Sequence, residues 1–521
     1  MAGMDIDDSG SLISDRTNTR ANGDMLYAKS DQLTVSFYAT LPVELKQVLR
    51  NADFFRDQYT GDIDTITGFA LVASAQTCFV WQHAQAVKGT PTCYIFSCPQ
   101  DSEQHYPPFH ALIPYGASRE PGLILVSQDG VIRFWDSIGI GLAGGDRYTT
   151  IKLNVSQGES VTNLVRSDPQ TYVASTSSGS LFRLTLTASG GKHHLISHLF
   201  SRPSQSLSLS RLLPSLFSSG STPHIAAGLS RNVNALTFGA KMPTGEKEVW
   251  ALVDTRLQRW SMSPEGWEEL LLEGDVSAML SSAIRKTFGA RVDDDDKQVD
   301  LELLDVAIDD DKLVVLLSYA GIEDSSSMAL DGTAVRRIYA LAHLSFWNDI
   351  FKVLTVRSVP YQSTFSSGAP MHPRIQLVLD GALISVQFGD AVALCARDVD
   401  YRERLELKSA TDRTLGIGAS QDDGPLLVLT AATMMKVIVN VDKVLAYDFD
   451  FPPDVDEESL MQGAEQLSQA VLESDTDVVQ KNHDLGAQLT ERKERLSWLI
   501  RFINDNIVLV KVGHSTVQPL K

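Results

Sequence analysis

The sequence lacks a cysteine framework, a long apolar run and an excess of positive charge. Its 521 residues include four cysteines, none in a C-x-x-C pair, which favours buried thiols over disulfides or a zinc site. No apolar stretch approaches the ~18 residues of a membrane-spanning helix, so any membrane contact should be peripheral. Met1–Gly10 is acidic where a secretory signal peptide carries positive charge. The formal net charge of −20 opposes general binding to nucleic-acid phosphates.

Motifs of catalysis and cofactor binding are also scarce. There is no nucleophile elbow, Walker loop or metalloprotease helix. Gly139–Gly144 spells G-x-G-x-x-G, but the following Tyr148–Val155 resembles a strand instead of the helix that a dinucleotide site requires, so we predict a flexible loop. His193, His194 and His198 have no carboxylate or cysteine nearby in sequence. We therefore predict no enzyme activity, no catalytic, cofactor-binding or metal-binding residues, no cofactor and no small-molecule substrate.

A recurring hairpin pattern dominates what is present. In Pro121–Asp136 two apolar runs flank Asp129-Gly130, a strong signal for a tight hairpin turn. Six further segments repeat this pattern, and one of them carries a polar insertion, Gly321–Thr333. The seven copies are Ala70–Gln82, Leu123–Asp136, Tyr172–Leu186, Val249–Met262, Leu313–Leu344, Ala382–Ala396 and Leu426–Val439. Their number predicts a mainly β fold, a seven-bladed β-propeller, although two unrelated β-sandwich domains would also contain such hairpins.

The segments outside the repeats complete the predicted domain organisation. Residues 1–30 are polar and are expected to form a disordered tail. The propeller should occupy residues 31–445, with Gln32–Ala39 as a strand that helps to close the ring. Thr40–Asp57 has a helical pattern whose apolar face comprises Leu41, Leu45, Val48, Ala52 and Phe55.

The end of the chain has a different period. Apolar residues recur at helical spacing within residues 454–521, after Pro452-Pro453. These helices either begin a helical domain or dock on the propeller, and the first interpretation is favoured.

One segment differs from the acidic remainder of the chain. Pro169–Gly245 contains no aspartate or glutamate, whereas an even spread of the 65 acidic residues would place about nine or ten there. Within it, Leu195–Ser221 has leucine and phenylalanine at helical spacing, opposite a face that is mostly serine. Pro214 interrupts this stripe and should kink or split a helix.

The serine-rich face suggests how this segment would work. Since it gains little from charge, membrane binding must come from the insertion of apolar side chains, which is easiest where lipid packing is loose, as on a curved membrane. A packed helix or an insertion without a role are the other interpretations. The predicted membrane-binding residues are Leu195, Ile196, Leu199, Phe200, Leu207, Leu209, Leu212, Leu213, Leu216 and Phe217.

Together these features resemble a known family. The short helix before the first blade, the degenerate blades, the Ser/Leu-rich insertion and Thr65–Gln82 are similar to the N-terminal half of outer-ring scaffold nucleoporins of the Y-shaped complex. The resemblance extends from about Gln32 to the end, and related inner-ring nucleoporins share the architecture. It implies a non-enzymatic scaffold at the nuclear pore of the nuclear envelope that supports mRNA export and protein transport. Its implied partners are other scaffold nucleoporins and the curved membrane, which the family's curvature-sensing loop, here Leu195–Ser221, would contact.

Two other functions remain open from the sequence. A protein-interaction propeller of a vesicle coat would have the same repeats and a merely structural insertion. A propeller enzyme would gather at least three acids or histidines at the mouth of the ring.

Overall fold

The predicted repeats form a ring of sheets. A computed structural model of the chain describes residues 25–84, 89–100, 106–116, 119–144, 147–200, 232–288, 299–309, 311–322, 335–347, 350–362, 372–407, 409, 411–419 and 424–447. In these residues the strands form seven antiparallel sheets, six of four strands and one of five. In most of the sheets, strands consecutive in sequence are paired neighbours, as in the blades of a β-propeller. The prediction of a seven-bladed, mainly β propeller is confirmed.

The elements follow the chain in a regular order. Two strands and a helix precede the first blade: β1 (Leu26–Lys29), β2 (Leu33–Ala39) and α1 (Val43–Arg50). Blade 1 comprises β3 (Thr60–Asp64), β4 (Phe69–Ala73), β5 (Thr77–Gln82) and β6 (Cys93–Ser97). Blade 2 comprises β7 (Phe109–Ile113), β8 (Gly122–Val126), β9 (Val131–Trp135) and β10 (Thr149–Lys152). Blade 3 comprises β11 (Val161–Asp168), β12 (Thr171–Thr176), β13 (Leu181–Ser189) and β14 (Lys192–Leu199).

The second half of the ring repeats the arrangement. Blade 4 comprises β15 (Val233–Lys241), β16 (Lys247–Val253), β17 (Arg256–Met262) and β18 (Glu268–Asp275), and α2 (Ser277–Phe288) follows it. Blade 5 comprises β19 (Leu301–Asp309), β20 (Lys312–Ile322), β21 (Val335–Trp347) and β22 (Ile350–Gln362). Blade 6 comprises β23 (Arg374–Val378), β24 (Leu383–Gln387), β25 (Ala391–Ala396) and β26 (Arg402–Glu406). Blade 7 contains β27 (Thr414–Gly418), β28 (Leu426–Thr430) and β29 (Met434–Val439), and α3 (Val441–Leu445) follows.

The sequence repeats correspond to the two middle strands of each blade. Ala70–Gln82, for example, spans β4 and β5, and every residue of β4 is buried. A middle strand has neighbours on both edges and a packed blade on both faces, so it is nearly continuously apolar. Apolar clusters fill the spaces between blades, as with Trp135 between blades 1 and 2. Each fully buried large side chain of this kind contributes about 1.5–3 kcal/mol relative to its exposed state.

An N-terminal strand closes the ring. Strand β2 pairs antiparallel with β29, with Leu33 opposite Val439, and β1 adds a fifth strand outside it. The prediction that Gln32–Ala39 helps to close the ring is confirmed. The prediction of a disordered tail over residues 1–30 is wrong for Leu26–Lys29, which pairs with β2, and residues 1–24 lie outside the described residues.

The predicted N-terminal helix is shorter than its apolar pattern. Helix α1 covers Val43–Arg50 and buries Leu45 and Leu49, whereas the pattern extended over Thr40–Asp57. After Arg50 the chain forms turns instead of continuing the helix. In these turns Asn51 N donates a hydrogen bond to Val48 O, and Arg56 N donates one to Asp53 O. Phe55 is 68% exposed and lies beyond the end of α1, so its predicted place on the apolar face of this helix is wrong.

Two other local predictions differ from the structure. The G-x-G-x-x-G segment is not a flexible loop: Ile138–Ala143 forms a 3₁₀ helix, capped by Ser137, whose hydroxyl accepts a hydrogen bond from Gly139 N. Gly141 is required there because a Cβ would lie 2.7 Å from the ring of Phe96. Helix α2, between blades 4 and 5, was not predicted, because the whole range 31–445 was assigned to the propeller.

The four cysteines form no disulfide, and Cys78, Cys98 and Cys395 are buried, as their positions in or beside strands predicted. The chain divides into two compact units, Met1–Leu445 and Ala446–Lys521. In the second unit the structure describes only residues 446 and 447, so the helices predicted within residues 454–521 lie outside the described residues.

The innermost strands define two faces of the ring. Strands β27 and β3 run side by side in the same direction, with Gly416 against Gly61 and Gly418 against Ile63. In a propeller all the innermost strands run alike, so each blade begins at one face, which we name the leading face. The connections between blades reach the ring there. The turns between the first and second strands lie at the opposite face.

Candidate functional site

The predicted membrane-contact segment lies in the connection between blades 3 and 4. Strand β14 ends at Leu199, Phe200 N donates a hydrogen bond to Leu181 O (2.8 Å), and β15 begins at Val233 at the leading face. Residues 201–231 lie outside the described residues. This range contains six of the ten predicted residues, for which the membrane-binding role stays a prediction: Leu207, Leu209, Leu212, Leu213, Leu216 and Phe217.

The other four predicted residues lie in or next to a strand. The prediction of a helical stripe over Leu195–Phe200 is wrong, because β14 pairs with β13 over eight residues, and that ladder sets their direction. Leu195 and Phe200 are each 6% exposed and pack in the core, so neither is available to a membrane without unfolding. Ile196 and Leu199 are 53% and 54% exposed. Of these four, only Ile196 and Leu199 remain candidates for contact.

A polar cluster fixes the beginning of β14 to blade 2. His193 Nδ1 lies 2.8 Å from Asp136 Oδ1, which also accepts a hydrogen bond from the Tyr115 hydroxyl (2.9 Å). Arg119 Nη2 donates to Asp136 Oδ2 at 2.8 Å and its guanidinium stacks on the Tyr115 ring. Partial burial opposes ionisation of Asp136, but the hydrogen bonds from Tyr115 and His193 outweigh it and lower the pKa. The carboxylate thus stays charged and joins the two blades.

A buried charge cluster fixes the other end of β14 to blade 4. The side chain of Glu268 is fully buried, and its Oε1 lies 2.8 Å from His198 Nε2 and 3.4 Å from Arg183 Nη1. Arg183 Nη1 also donates to Ser263 O at 2.7 Å. Paired buried charges of this kind depend on every partner, since the loss of one leaves an uncompensated ion. Both ends of β14, the strand that leads into the connection, are therefore held by side-chain bonds to neighbouring blades.

These contacts account for two of the three histidines that the sequence singled out as weak metal candidates. His193 and His198 bind separate carboxylates on different blades. In the described part of the chain, no three His, Cys, Asp or Glu side chains are arranged to hold a metal ion. None of the described helices has the length and apolar composition to cross a lipid bilayer.

The centre of the ring is the place where a propeller enzyme would gather its acids. Asp62, Asp64 and Asp305 lie on innermost strands there. Burial raises the pKa of Asp305 to about 6, and such a shift is common at functional sites. Asp305 is already engaged, however: Oδ2 accepts from Ile375 N of blade 6 at 2.6 Å and Oδ1 from Val306 N at 2.8 Å.

The other central polar groups also bridge blades. Arg166 of blade 3 donates two hydrogen bonds to Asp64 of blade 1, at 2.6 and 3.1 Å. Asn163 Nδ2 donates to Val233 O at 2.8 Å, and Asn234 Nδ2 donates to Leu303 O at 2.7 Å. The sequence analysis missed these residues, although polar residues in otherwise apolar inner strands are a usable signal. Their arrangement indicates a structural role.

Comparisons with known proteins agree with this architecture. The model of the nucleoporin family described as Nup133 N terminal like matches residues 28–405. The nuclear pore complex protein Nup133 of Drosophila melanogaster is 24% identical over 312 residues, which are 55% of this chain and 25% of that protein. Nucleoporin nup132 of Schizosaccharomyces pombe is 31% identical over 153 residues, 27% of this chain and 13% of that protein. The matched regions thus span a quarter or less of these relatives.

A solved structure matches the fold. The crystal structure of the Vanderwaltozyma polyspora Nup133 β-propeller domain superposes with a TM-score of 0.57, covering 80% of this chain and all of that one. Its 14% sequence identity supports the propeller architecture alone.

Proposed function

The chain belongs to the nucleoporin family with a Nup133-like N-terminal domain, and on this premise we propose that its propeller contacts the curved membrane of the nuclear pore. As a Nup133-like scaffold propeller it is a protein of the nuclear pore complex at the nuclear envelope. In the proposed role it is non-enzymatic, its partners are other scaffold nucleoporins, and it supports mRNA export and protein transport by helping to hold the pore's coat on the membrane.

One observation carries this proposal: the acid-free, Ser- and Leu-rich connection 201–231 joins the ring at its leading face, where β15 begins. Because its polar side is mostly serine, charge contributes little, and each inserted leucine or phenylalanine would contribute about 1.5–3 kcal/mol. Ile196 and Leu199 of β14, which are exposed on the propeller itself, are further candidates for the same contact. Membrane binding by this connection is therefore expected to depend on packing defects in the lipid layer.

Vesicle flotation with the whole chain tests the proposal. Small and large vesicles of the same neutral phosphatidylcholine differ only in curvature, and the chain should float mainly with the small ones. Leu212→Asp/Leu216→Asp should abolish this binding, because two charges would enter the apolar layer. Binding that is indifferent to vesicle size, or that survives the double substitution, would contradict the proposal and favour a propeller that binds only proteins.

A matched control separates loss of insertion from added charge. Ser204→Asp/Ser218→Asp introduces the same two charges on the predicted polar side of the segment. This variant should retain most of the binding to small neutral vesicles. Equal losses in the two double variants would mean that acid depletion alone, and not apolar insertion, governs binding.

A further inference from the structure

We propose that the leading face has a second lipid-contacting point, the turn Ala52–Gln58 after α1, with Phe55 as the inserting side chain. The proposal rests on the proposed function, because it extends the same membrane contact to another connection of the ring. Phe55 is 68% exposed, and it lies on the connection that leads from β2 to the start of β3. That connection reaches the ring at the leading face, as does the connection 201–231.

The turn holds Phe55 outward in a defined position. Asp53 O accepts hydrogen bonds from Arg56 N at 2.8 Å and from Asp57 N at 2.7 Å, and Asp53 Oδ1 accepts from Phe55 N at 3.1 Å. The preceding Phe54 packs inward, with its ring centre 5.7 Å from that of Tyr59. Two consecutive phenylalanines thus have opposite roles: one anchors the turn, and the other projects from it.

The surroundings of Phe55 indicate which surface it fits. Helix α1, on the same connection, also exposes Val43 and Val48. The charges of this connection balance, with Lys46, Arg50 and Arg56 against Glu44, Asp53 and Asp57. A connection that is electrically neutral as a whole and exposes apolar side chains suits a deformable neutral lipid layer, and it gains little from anionic headgroups. This is the chemistry already inferred for the connection 201–231.

Two contact points on one rigid ring should reinforce each other. Once one point is in the membrane, the other is held near it at a high effective concentration, so the overall affinity exceeds that of either alone. Burial of one phenylalanine favours binding enough that Phe55→Asp should weaken vesicle partitioning about tenfold.

The sharpest control lies in blade 1, which follows this connection. Ile66 is 56% exposed, close to the exposure of Phe55, but it lies in the turn between β3 and β4, at the opposite face of the ring. Ile66→Asp should therefore leave binding to small neutral vesicles unchanged. Comparing Phe55→Asp with Ile66→Asp shows whether binding depends on the face of the ring or on any exposed apolar residue.

The experiment measures partitioning of the whole chain into small phosphatidylcholine vesicles for wild type, Phe55→Asp, Ile66→Asp and Leu212→Asp/Leu216→Asp, with thermal melts to confirm folding. A tenfold loss with Phe55→Asp and none with Ile66→Asp supports the proposal. Equal behaviour of the Phe55 and Ile66 variants overturns it. Loss only in the leucine variant removes the second contact and keeps the first. Loss only in Phe55→Asp removes the contact by the connection 201–231 and keeps the contact by Phe55. If the wild type does not bind vesicles, both contacts are removed.

A local probe gives a second measurement that does not depend on affinity. An environment-sensitive dye attached at Phe55→Cys should increase its emission on addition of small vesicles, whereas the dye at Ile66→Cys should not. Native thiols compete little, because Cys78 and Cys98 are buried and burial raises the pKa of Cys93 and of Cys98 to about 12. A response at Ile66→Cys equal to that at Phe55→Cys would overturn the proposal. If the protein is bound to vesicles but the dye at Phe55→Cys does not change its emission, the proposal is also overturned. This result is expected for a turn that binds only another protein.

Discussion

The contacts between neighbouring blades, here called seams, are built in two contrasting ways. Between blades 7 and 1, backbone packs on backbone: a Cβ on Gly416 would lie 2.7 Å from Gly61 O. Between blades 3 and 4, buried charges make the bridge, since Arg183 and His198 both bind Glu268. The first seam closes the ring, and the second borders the connection 201–231. Where the innermost backbones touch, no added atoms are tolerated, whereas the charged seam tolerates no lost partner.

The largest effect is expected at the closing seam. Gly416→Val should lower the free energy of unfolding by more than about 3 kcal/mol, because the new side chain would meet backbone atoms of Gly61 that cannot move aside. Gly239→Val is the control, since a Cβ there would meet only side-chain atoms, no closer than 3.1 Å. Urea unfolding of both variants measures the difference. Equal destabilisation would show that the closing seam is not specially tight.

The next effect should come from the charged seam. Glu268→Ala leaves the buried Arg183 without its carboxylate and should cost about 3 kcal/mol of unfolding free energy. Arg183→Met/Glu268→Leu removes both charges and should cost much less. Urea unfolding of the wild type and the two variants compares the loss of one charge with the loss of both. If the double variant were as unstable as Glu268→Ala, packing and not charge would hold this seam.

A smaller effect extends the comparison to the seam between blades 5 and 6. Because the pKa of Asp305 in the folded chain, about 6, lies above its ordinary value, the folded chain takes up this proton first as the pH falls. Asp305 therefore disfavours folding at pH 7, and this cost disappears as the pH falls through 6 towards 4. Relative to Asp305→Asn, the wild type should gain about 2 kcal/mol over that range.

Chemical unfolding at several pH values measures this difference and cancels the groups common to both proteins. The comparison with Asp305→Asn is necessary because Asp136, whose pKa is lowered, contributes in the opposite direction. Parallel stability curves for the two proteins would mean that Asp305 keeps its ordinary pKa in the folded chain.

The sequence predicted the seven-bladed architecture better than it predicted the side-chain contacts between blades. The middle strands, such as β4, are apolar on both faces and bounded by turns, so local pattern suffices to find them. Leu195 and Phe200 fit a helical stripe, but Gly190-Gly191 turns the chain back into an eight-residue ladder with β13, which makes Leu195–Leu199 a strand. The Gly-Gly turn is a hairpin signal in the sequence that apolar spacing alone does not register. The pairing of Arg183 with Glu268 joins residues 85 positions apart, for which the sequence has no signal.

Phe55 shows the same limit in a single residue. Its spacing from Leu41 and Leu45 fits one helical face, yet α1 ends at Arg50 and the chain turns at Asp53. Hydrogen bonds of Asp53 to its own neighbours compete with helix continuation, which apolar periodicity does not register.

Because β2 pairs with β29, the ring can close only late in synthesis of the chain. Leu33 leaves the ribosome early, but its partner Val439 is translated only after six other blades. Until then β2 has no strand to pair with, and its apolar face has no permanent cover. Vectorial folding can thus proceed blade by blade without producing a closed toroid, and a nascent chain stalled before Met434 would present two open edges to chaperones and proteases.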